Sequence, residues 1–292
     1  MARRTRDVGA SVRSRLLDLA RAKKQSFDLV LTRYVLERLL FRLSRSSHRS
    51  RFVLTGAMLI TTWFPDPYRP TRDLDLLAFS DSSEESILAV FSEVCAIPAD
   101  DGITFDVDAL HIERIREEVE HGGLRLRTVA NLSRARISTV VDIAFGDAVE
   151  PGLQEIDFPV LLGQPAPRLL AYPRETVVAE KFQAMVYFGR ANSRMKDFYD
   201  VWALSKAYEF DDDRLTRAIA ATFERRRTEI PTDVPDALTP AFANDYTKRR
   251  QWNAFVKDLA ASPGSLEGVV SDLAAFLMPF AVRAKGLARI GQ

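Results

Sequence analysis

The sequence predicts an α+β fold in which a strand-rich part is followed by a part made of helices alone. Segments with the alternation or β-branched composition of strands all lie before about residue 165. Five long segments with helical periodicity follow residue 171, and the segment GQPAPR at 163–168 separates the two parts. Strands and helices segregated along a chain are typical of the α+β class. We therefore predict two domains, over residues 1–168 and 169–292.

Two helices are predicted before the first strand. Apolar residues recur at intervals of three or four in residues 8–24 and again in residues 28–46. The segment RFVLTG is typical of a short buried strand that ends at Gly56. The next segment, AMLITTWF, is predicted to be a helix that ends before Pro65, because proline cannot continue a helix.

The remaining strands are predicted from alternation and from β-branched residues. SSEESILAVFSEVC, which begins at residue 82, interrupts them as a helix, because serine caps and acidic residues favour a helix N-terminus. The strands are expected at residues 73–79, 103–110, 124–132 and 135–145, with a further short one at 158–162.

The last part of the chain contains only helical patterns. The first of them, PRETVVAEKFQAMVYFG, begins at Pro173 and ends at Gly189, which suit the two ends of a helix. The other predicted helices lie in SRMKDFYDVWALSKAYEF, DDDRLTRAIAATFERRR, TPAFANDYTKRRQWNAFVKDLA and SLEGVVSDLAAFLMPFAVRA.

The composition is that of a globular protein. Apolar residues make up 47% of the chain and charged residues 28%. No apolar run reaches the roughly 18 residues that a membrane span needs, and the basic N-terminus lacks the apolar core of a signal peptide. A single cysteine excludes an internal disulfide framework, and three scattered histidines cannot form a His-rich metal cage. We predict a cytoplasmic protein.

The net charge of +1 hides a strong asymmetry along the chain. Residues 1–51 carry 14 Lys and Arg against 4 Asp and Glu, whereas residues 52–170 carry 9 against 20. The basic arm is suited to a phosphate backbone and the acidic middle to cations. Solvated helix faces and internal salt bridges explain the same pattern, so charge alone leaves both interpretations open.

Two neighbouring carboxylates, Asp73 and Asp75, lie at the start of the predicted strand DLDLLAF. Residues i and i+2 of a strand project from the same face, so the two carboxylates repel each other. A divalent cation such as Mg²⁺ would relieve that repulsion. The alternative is a strand end in solvent, where Arg69 and Arg72 pair with the acids.

The surroundings of this pair favour a phosphate site. VLTGAML, upstream of the pair, combines an apolar strand, a glycine turn at Gly56 and a helix start, which together suit an anion. Downstream, Asp142 follows two valines on another predicted strand. A third carboxylate beside the first two would complete a two-metal site for phosphoryl chemistry, while an edge residue paired with an arginine is the alternative for Asp142.

This order of glycine turn, D-x-D strand and third aspartate resembles the nucleotidyltransferase superfamily of the DNA polymerase β type. YRPTRDLDLL at 68–77 and the segment at 172–204 closely resemble the AbiEii/AbiGii toxin family of bacterial nucleotidyltransferases. The family motifs stand here as Pro173, Glu175, Ala179, Glu180 and Lys181, followed by Arg194, Lys196, Asp197, Tyr199 and Asp200.

The resemblance implies a polymerase β-like mixed sheet with flanking helices, followed by an all-helical C-terminal domain. It also implies transfer of an NMP from an NTP with Mg²⁺ or Mn²⁺, with the 3′ end of tRNA as the expected acceptor. Members typically act as toxins paired with a cognate antitoxin, which would be the protein partner. No contact with a membrane is expected.

Residue roles follow from the resemblance by position. Asp73, Asp75 and Asp142 would hold the metals, and Lys181 and Asp197 would complete the catalytic set. The nucleotide would be bound by Thr55, Gly56, Ala57, Arg69, Arg72, Lys181 and Asp200. The motifs leave open whether Asp197 or Asp200 is the essential acid. The usual glycine–serine turn is here Gly56–Ala57, which lacks one hydroxyl donor for a phosphate.

Other functions fit parts of the pattern. The same chemistry can modify a protein hydroxyl or a small molecule such as an aminoglycoside. A catalytically silent relative that binds RNA or a partner would have no need to keep mutually repelling acids. A DNA-binding repressor would need a sharp turn with a glycine between the helices at 8–24 and 28–46, and the sequence there has none.

Overall fold

A computed structural model of the chain describes residues 7–64, 69–79, 82–115, 123–146, 149–257, 259 and 262–290. The chain divides into two compact units. The first comprises residues 1–147 and 154–171, and the second comprises residues 148–153 and 172–292.

A mixed sheet is the centre of the first unit. Its strands, within the described residues, are β1 (Phe52–Thr55), β2 (Asp73–Ala78), β3 (Ile103–Phe105), β4 (His111–Ile115), β5 (Gly123–Leu132), β6 (Ala135–Phe145), β7 (Gln154–Asp157) and β8 (Arg168–Ala171). They lie in the order β3-β5-β6-β2-β1-β8-β7, and β4 continues the edge beside β5. The β2–β6 and β1–β8 pairs are parallel, and the other pairs are antiparallel.

One face of this sheet is packed against helices, and the other, called the open face below, is exposed along β5 and β6. Along β6, Ile137, Val141 and Ile143 are buried, whereas Arg136 and Ser138, which point the opposite way, are exposed. The two helices that precede β1 and the helix between β2 and β3 contact strands of the sheet and account for the buried face. Along β5 and β6, charged residues therefore lie on the open face, as the period of two requires. In β1 and β2 the same face also carries the buried apolar residues Val53 and Leu77.

The α-helices of the first unit, in its described residues, are α1 (Val8–Ala22), α2 (Phe27–Arg45), α3 (Gly56–Ile60) and α4 (Glu84–Ala96). Helix α4 begins as its sequence indicates, because the side chain of Ser83 accepts a hydrogen bond from the backbone N–H of Ser86. Leu36, Leu39, Leu40 and Leu43 of α2 are fully buried, so α2 supplies much of the core beneath the sheet.

Two arginines of the N-terminal arm are used inside the fold. The guanidinium of Arg42 is buried and donates to both carboxylate oxygens of Asp101, at 2.7 and 3.1 Å. Arg38 is also buried, and it donates to the carbonyl of Pro165 and lies beside Glu37. These two arginines of the arm are not available to a phosphate backbone.

The second unit is helical in its described residues. It contains α5 (Arg174–Phe188), α6 (Met195–Ala207), α7 (Asp212–Arg225), α8 (Pro240–Ala243), α9 (Tyr246–Val256) and α10 (Leu266–Ile290). Helices α5 and α7 pack through Phe182 and Phe223, whose ring centroids are 5.3 Å apart. In the part of the chain that the structure describes, every helix is too short or too polar to span a bilayer.

The α+β class and the mixed sheet with flanking helices are confirmed, and three local predictions are wrong. Residues 158–162 form no strand, because the N–H of Leu161 donates to the side chain of Glu37 instead of a strand. The predicted strand at 103–110 stops at Phe105 and continues as a short 3₁₀ turn. The helix predicted from residue 239 onward is broken into α8 and α9, because Asp245 caps the start of α9.

Strands β4, β7 and β8 were not predicted. Each is only four or five residues long, which is too short for a clear alternation. Strand β8 pairs with β1 and carries the first unit to Ala171, past the expected boundary at residue 168.

The buried Arg42–Asp101 pair generates a stability prediction. Asp101→Ala would leave the guanidinium of Arg42 buried without its carboxylate, and we expect the free energy of unfolding to fall by about 3–5 kcal/mol. Urea unfolding followed by circular dichroism measures this loss. The control is Asp18→Ala, which removes an exposed pair with Arg21 and should cost less than about 1 kcal/mol. Equal losses in the two variants would contradict the structural role of Asp101.

A pH prediction follows from the buried carboxyl of Glu37. Burial raises the pKa of Glu37 from 4.5 to about 7, although Arg38 and the N–H of Leu161 oppose the shift. An acid with a higher pKa in the folded state binds its proton more tightly when folded, so stability falls as pH rises between the two values. We expect the wild type to lose stability relative to Glu37→Gln from about pH 4.5 to about pH 7. Urea midpoints across that range measure the difference, and a constant difference would contradict the shift.

Candidate active site

The pairing of β2 with its two neighbours brings four polar side chains into one row across the open face. Asp75 of β2 lies opposite Thr55 of β1 on one side and opposite Asp142 of β6 on the other. Asp142 in turn lies opposite Arg125 of β5. Residues paired in this way project from the same face, so the row runs Thr55, Asp75, Asp142, Arg125.

Asp73 extends the row at the start of β2. It projects from the same face as Asp75 because it lies two residues earlier on the strand, and it is exposed to solvent. Its cross-strand neighbour is Val140, so no carboxylate lies directly beside it on β6. The structure therefore brings the three predicted aspartates to adjacent positions on one face of the sheet.

Gly56 lies directly under the carboxylate of Asp75. A Cβ atom at Gly56 would be 1.9 Å from Oδ2 of Asp75, and the residue has a φ of +65°. Both the close approach and the left-handed backbone therefore require glycine at this position. The turn places Gly56 and Ala57 at the start of α3, beside the row, as the strand–glycine–helix pattern predicted.

Asp142 is held by Arg125 rather than left open. Nε and Nη2 of Arg125 donate to Oδ1 and Oδ2 of Asp142, each at 2.8 Å. These hydrogen bonds raise the pKa of Arg125, and the nearby charges of Asp142, Asp73 and Glu113 act in the same direction. Both carboxylate oxygens of Asp142 thus already have a cationic partner, in a fork that fits a guanidinium well.

The donors suit Mg²⁺ in kind, because carboxylate oxygens are its preferred protein ligands. Among the described residues, however, no group of three or more His, Cys, Asp or Glu side chains can hold a metal ion. The fork to Arg125 turns Asp142 toward β5, while the carboxylate of Asp75 lies over Gly56. Asp73 and Asp75 therefore remain the better candidates for a metal, and these positions give no support to Asp142 as a third ligand.

The two arginines before β2 have contacts outside the row. Arg72 pairs instead with Asp28 of α2. Arg69 donates to the backbone carbonyl of Pro70. Arg72 was one of the two arginines expected to neutralise Asp73 and Asp75 if these acids lay in solvent. In the structure it forms an ion pair with α2 instead.

In the second unit, the predicted Lys181 is the centre of a charged cluster. Its ammonium lies 2.5 Å from Oδ1 of Asp197 and 3.0 Å from Oδ2 of Asp200. Arg194 contacts the other oxygen of Asp197 at 3.2 Å. Asp200 is fully buried, whereas the side chains of Asp197 and Lys181 are 6% and 13% exposed. A ligand of this cluster therefore reaches Lys181 or Asp197 before Asp200.

Other charged residues of these motifs join helices together. Glu180 accepts a hydrogen bond from Arg225 at 2.6 Å and one from the buried hydroxyl of Tyr172. The three groups link α5 to the end of α7, and burial raises the pKa of Tyr172. Arg225 belongs to the RRR cluster at 225–227, so part of that basic cluster is internal to the unit.

Arg125 is the residue of the row that sequence reasoning missed. The alternation of GLRLRTVANL does place Arg125 on the solvent side of its strand, together with Arg127. What the pattern lacks is the register between β5 and β6, which selects Asp142 as the neighbour of Arg125. Arg194 is part of a family motif, but the resemblance assigns it no role.

Comparison with known proteins identifies a family and two similar folds. The family described as nucleotidyl transferase AbiEii toxin, type IV TA system, matches residues 38–276. The crystal structure of JHP933 from Helicobacter pylori has a TM-score of 0.49 and 16% identity, covering 91% of this chain and 97% of its own. A putative nucleotidyltransferase from H. pylori has a TM-score of 0.47 and 15% identity, covering 91% and 99%. No curated protein sequence matches the chain.

The contact between Gly56 and Asp75 generates a test with a matched control. Gly56→Ala adds a methyl group that overlaps the carboxylate of Asp75, in addition to the strain of a positive φ. Gly163→Ala has a nearly identical φ of +64° and meets no atom within 4 Å, so it reports the strain alone. We expect Gly163→Ala to cost about 1–2 kcal/mol of unfolding free energy and Gly56→Ala to cost more. Urea unfolding compares them, and equal costs would show that Asp75 does not press on Gly56.

Proposed function

Because the chain belongs to the AbiEii family of nucleotidyltransferase toxins of type IV toxin–antitoxin systems, we propose that it moves an NMP from an NTP to an acceptor hydroxyl. The acceptor oxygen attacks the α-phosphorus, the bond to the bridging oxygen breaks, and pyrophosphate leaves. The proposed acceptor is the 3′ end of tRNA. The observation that carries the proposal is the carboxylate row on the open face, beside the turn at Gly56.

Asp73 and Asp75 are the proposed catalytic carboxylates. They project side by side from the start of β2, where Asp73 is exposed and Asp75 is half-buried. A bound Mg²⁺ or Mn²⁺ would offset the charge that develops on the attacking and leaving oxygens, and these two residues would hold it. The two strands beside β2 hold both carboxylates in a fixed direction.

The turn between β1 and α3 is the proposed phosphate cradle. Gly56 has no side chain above its backbone, and Thr55 and Ala57 flank it next to Asp75. The carboxylate of Asp75 fills the position of that missing side chain, so the proposed donors to a phosphate are the backbone amides of the turn and not the space above Gly56. Arg69 and Arg72 lie on the segment that leads into β2, and we assign them to the phosphates as well.

Lys181 and Asp197 are proposed to act on the nucleotide, with Asp200 supporting Lys181 from below. The family motifs support the assignment of Lys181, and the partial exposure of Asp197 favours it over Asp200 as the essential acid. Lys181 is paired with two carboxylates, so a phosphate would compete with them for its ammonium.

A cognate antitoxin is the proposed protein partner, because the family is part of toxin–antitoxin systems. The acceptor cannot be chosen from the catalytic residues, since a protein or small-molecule hydroxyl is the same nucleophile as a ribose hydroxyl. The tRNA assignment therefore rests on the family resemblance, and the other acceptors are outcomes of the experiment below.

The test is to incubate the protein with each α-labelled NTP in turn, in the presence of total RNA and total protein with Mg²⁺. We expect label in RNA of tRNA size, and a loss on the order of 100-fold or more in Asp73→Asn, because one carboxylate of the pair is removed. The matched control is Asp108→Asn, an exposed aspartate outside the row, which should keep full transfer. Label in a protein band would replace the tRNA assignment, and full activity of Asp73→Asn would reject the site.

A further inference from the structure

The guanidinium of Arg125 is fixed on one edge and open on the other. Nε and Nη2 each donate to Asp142, which uses one long edge of the planar group. Among the residues that the structure describes, Nη1 donates to no protein atom. The side chain of Arg125 is 36% exposed on the open face of the sheet. An arginine held in this way presents its remaining N–H groups to solvent in a defined direction.

The position of Arg125 is next to the proposed catalytic carboxylates. It lies two strands from Asp75 in the same lateral row, a backbone separation of roughly 10 Å. The charge of Asp73 also acts on it, which places the guanidinium within electrostatic reach of the D-x-D pair. An anion that binds at Arg125 would therefore lie over the same part of the open face.

Asp142 is poorly placed to serve as a metal ligand while it holds Arg125. Each of its oxygens accepts an N–H from the guanidinium at 2.8 Å, so a divalent cation there would face a positive charge across the same carboxylate. Among the described residues no three-carboxylate metal group is formed, in agreement with this argument.

We propose that Asp142 anchors Arg125, and that the open edge of the Arg125 guanidinium binds a phosphate group of the nucleotide beside Asp73 and Asp75. Asp142 is then a positioning residue instead of the metal ligand that the resemblance implies, and Arg125 is a substrate-binding residue that the family motifs do not single out. The inference rests on the proposed nucleotidyl transfer, because it assigns a phosphate-bearing substrate to the same face.

Phosphate binding without metal tests the role of Asp142, because two possible roles predict opposite effects of Asp142→Asn on the affinity for an anion. The probe is inorganic tripolyphosphate, titrated into the full chain by calorimetry in the presence of EDTA. If Asp142 acted only through its charge, Asp142→Asn would strengthen binding of the anion. If it anchors Arg125, Asp142→Asn weakens binding, and we expect Arg125→Ala to weaken it by about tenfold or more.

Two further variants control for charge and for folding. Arg127→Ala removes a positive charge from the same face of β5, where Arg127 pairs with Glu113 at 2.7 Å, and should change binding by less than about twofold. Arg125→Lys keeps the charge but loses the fork, so it should bind tripolyphosphate more weakly than the wild type. Circular dichroism confirms that each variant is folded.

Binding of Mn²⁺ alone shows whether Asp142 anchors Arg125 or acts as a metal ligand. Electron paramagnetic resonance measures the affinity for Mn²⁺. We expect Asp73→Asn to weaken it by about tenfold or more and Asp142→Asn to weaken it much less. The proposal is overturned if Asp142→Asn loses Mn²⁺ as Asp73→Asn does, or if Arg125→Ala binds tripolyphosphate like the wild type. If the wild type transfers label from NTP while Arg125→Ala is unchanged, only this inference fails. A wild type that transfers no label rejects the proposed function itself.

Discussion

The parallel pairing of β2 with β6 is the constraint on which the candidate site depends. This register sets Asp75 beside Asp142, and the pairing of β6 with β5 sets Asp142 beside Arg125. A shift of one residue would turn Asp75 and its row toward the buried face, because side chains alternate along a strand. The buried residues of the same strands, such as Leu74 and Val141, oppose that shift by the apolar surface they remove from water. Packing of the apolar residues on the buried face thus keeps the polar row on the open face.

The three carboxylates of the row repel one another, and each lies in a different environment. Asp142 receives a bidentate arginine, Asp75 lies against a backbone without a side chain at Gly56, and Asp73 is at the exposed strand end. The guanidinium beside Asp142 and the exposure of Asp73 to solvent both weaken the repulsion among the three acids. The row therefore carries two kinds of groups, which differ in what they offer a substrate. Asp73 and Asp75 present oxygen ligands, whereas Asp142 presents a positively charged neighbour.

The family motifs of the second unit combine structural and candidate functional residues. Glu180 links α5 to α7 through Arg225, and Asp200 is buried beneath Lys181. Removing such a residue would disturb the fold and the chemistry together, so loss of activity alone cannot assign it a catalytic role. Asp197 and Arg194 lie nearer the surface of the same cluster. Glu180, which holds two helices together, is thus the direct sequence neighbour of Lys181, the residue proposed to bind a phosphate.

The sequence by itself determined the α+β class, the long helices and strands, and the positions of Gly56, Asp73, Asp75 and Asp142 as candidates. Periodicity and capping act over a few residues, so these features are legible in the chain. Only the tertiary structure decided that Asp142 faces Arg125, that Arg38 and Arg42 of the basic arm are buried, and that residues 158–162 form no strand. Each of these depends on a partner far away along the chain, such as Asp101 for Arg42 or Glu37 for Leu161. Local patterns carry no information about which distant strand or helix supplies that partner, because register and packing are set by the whole core.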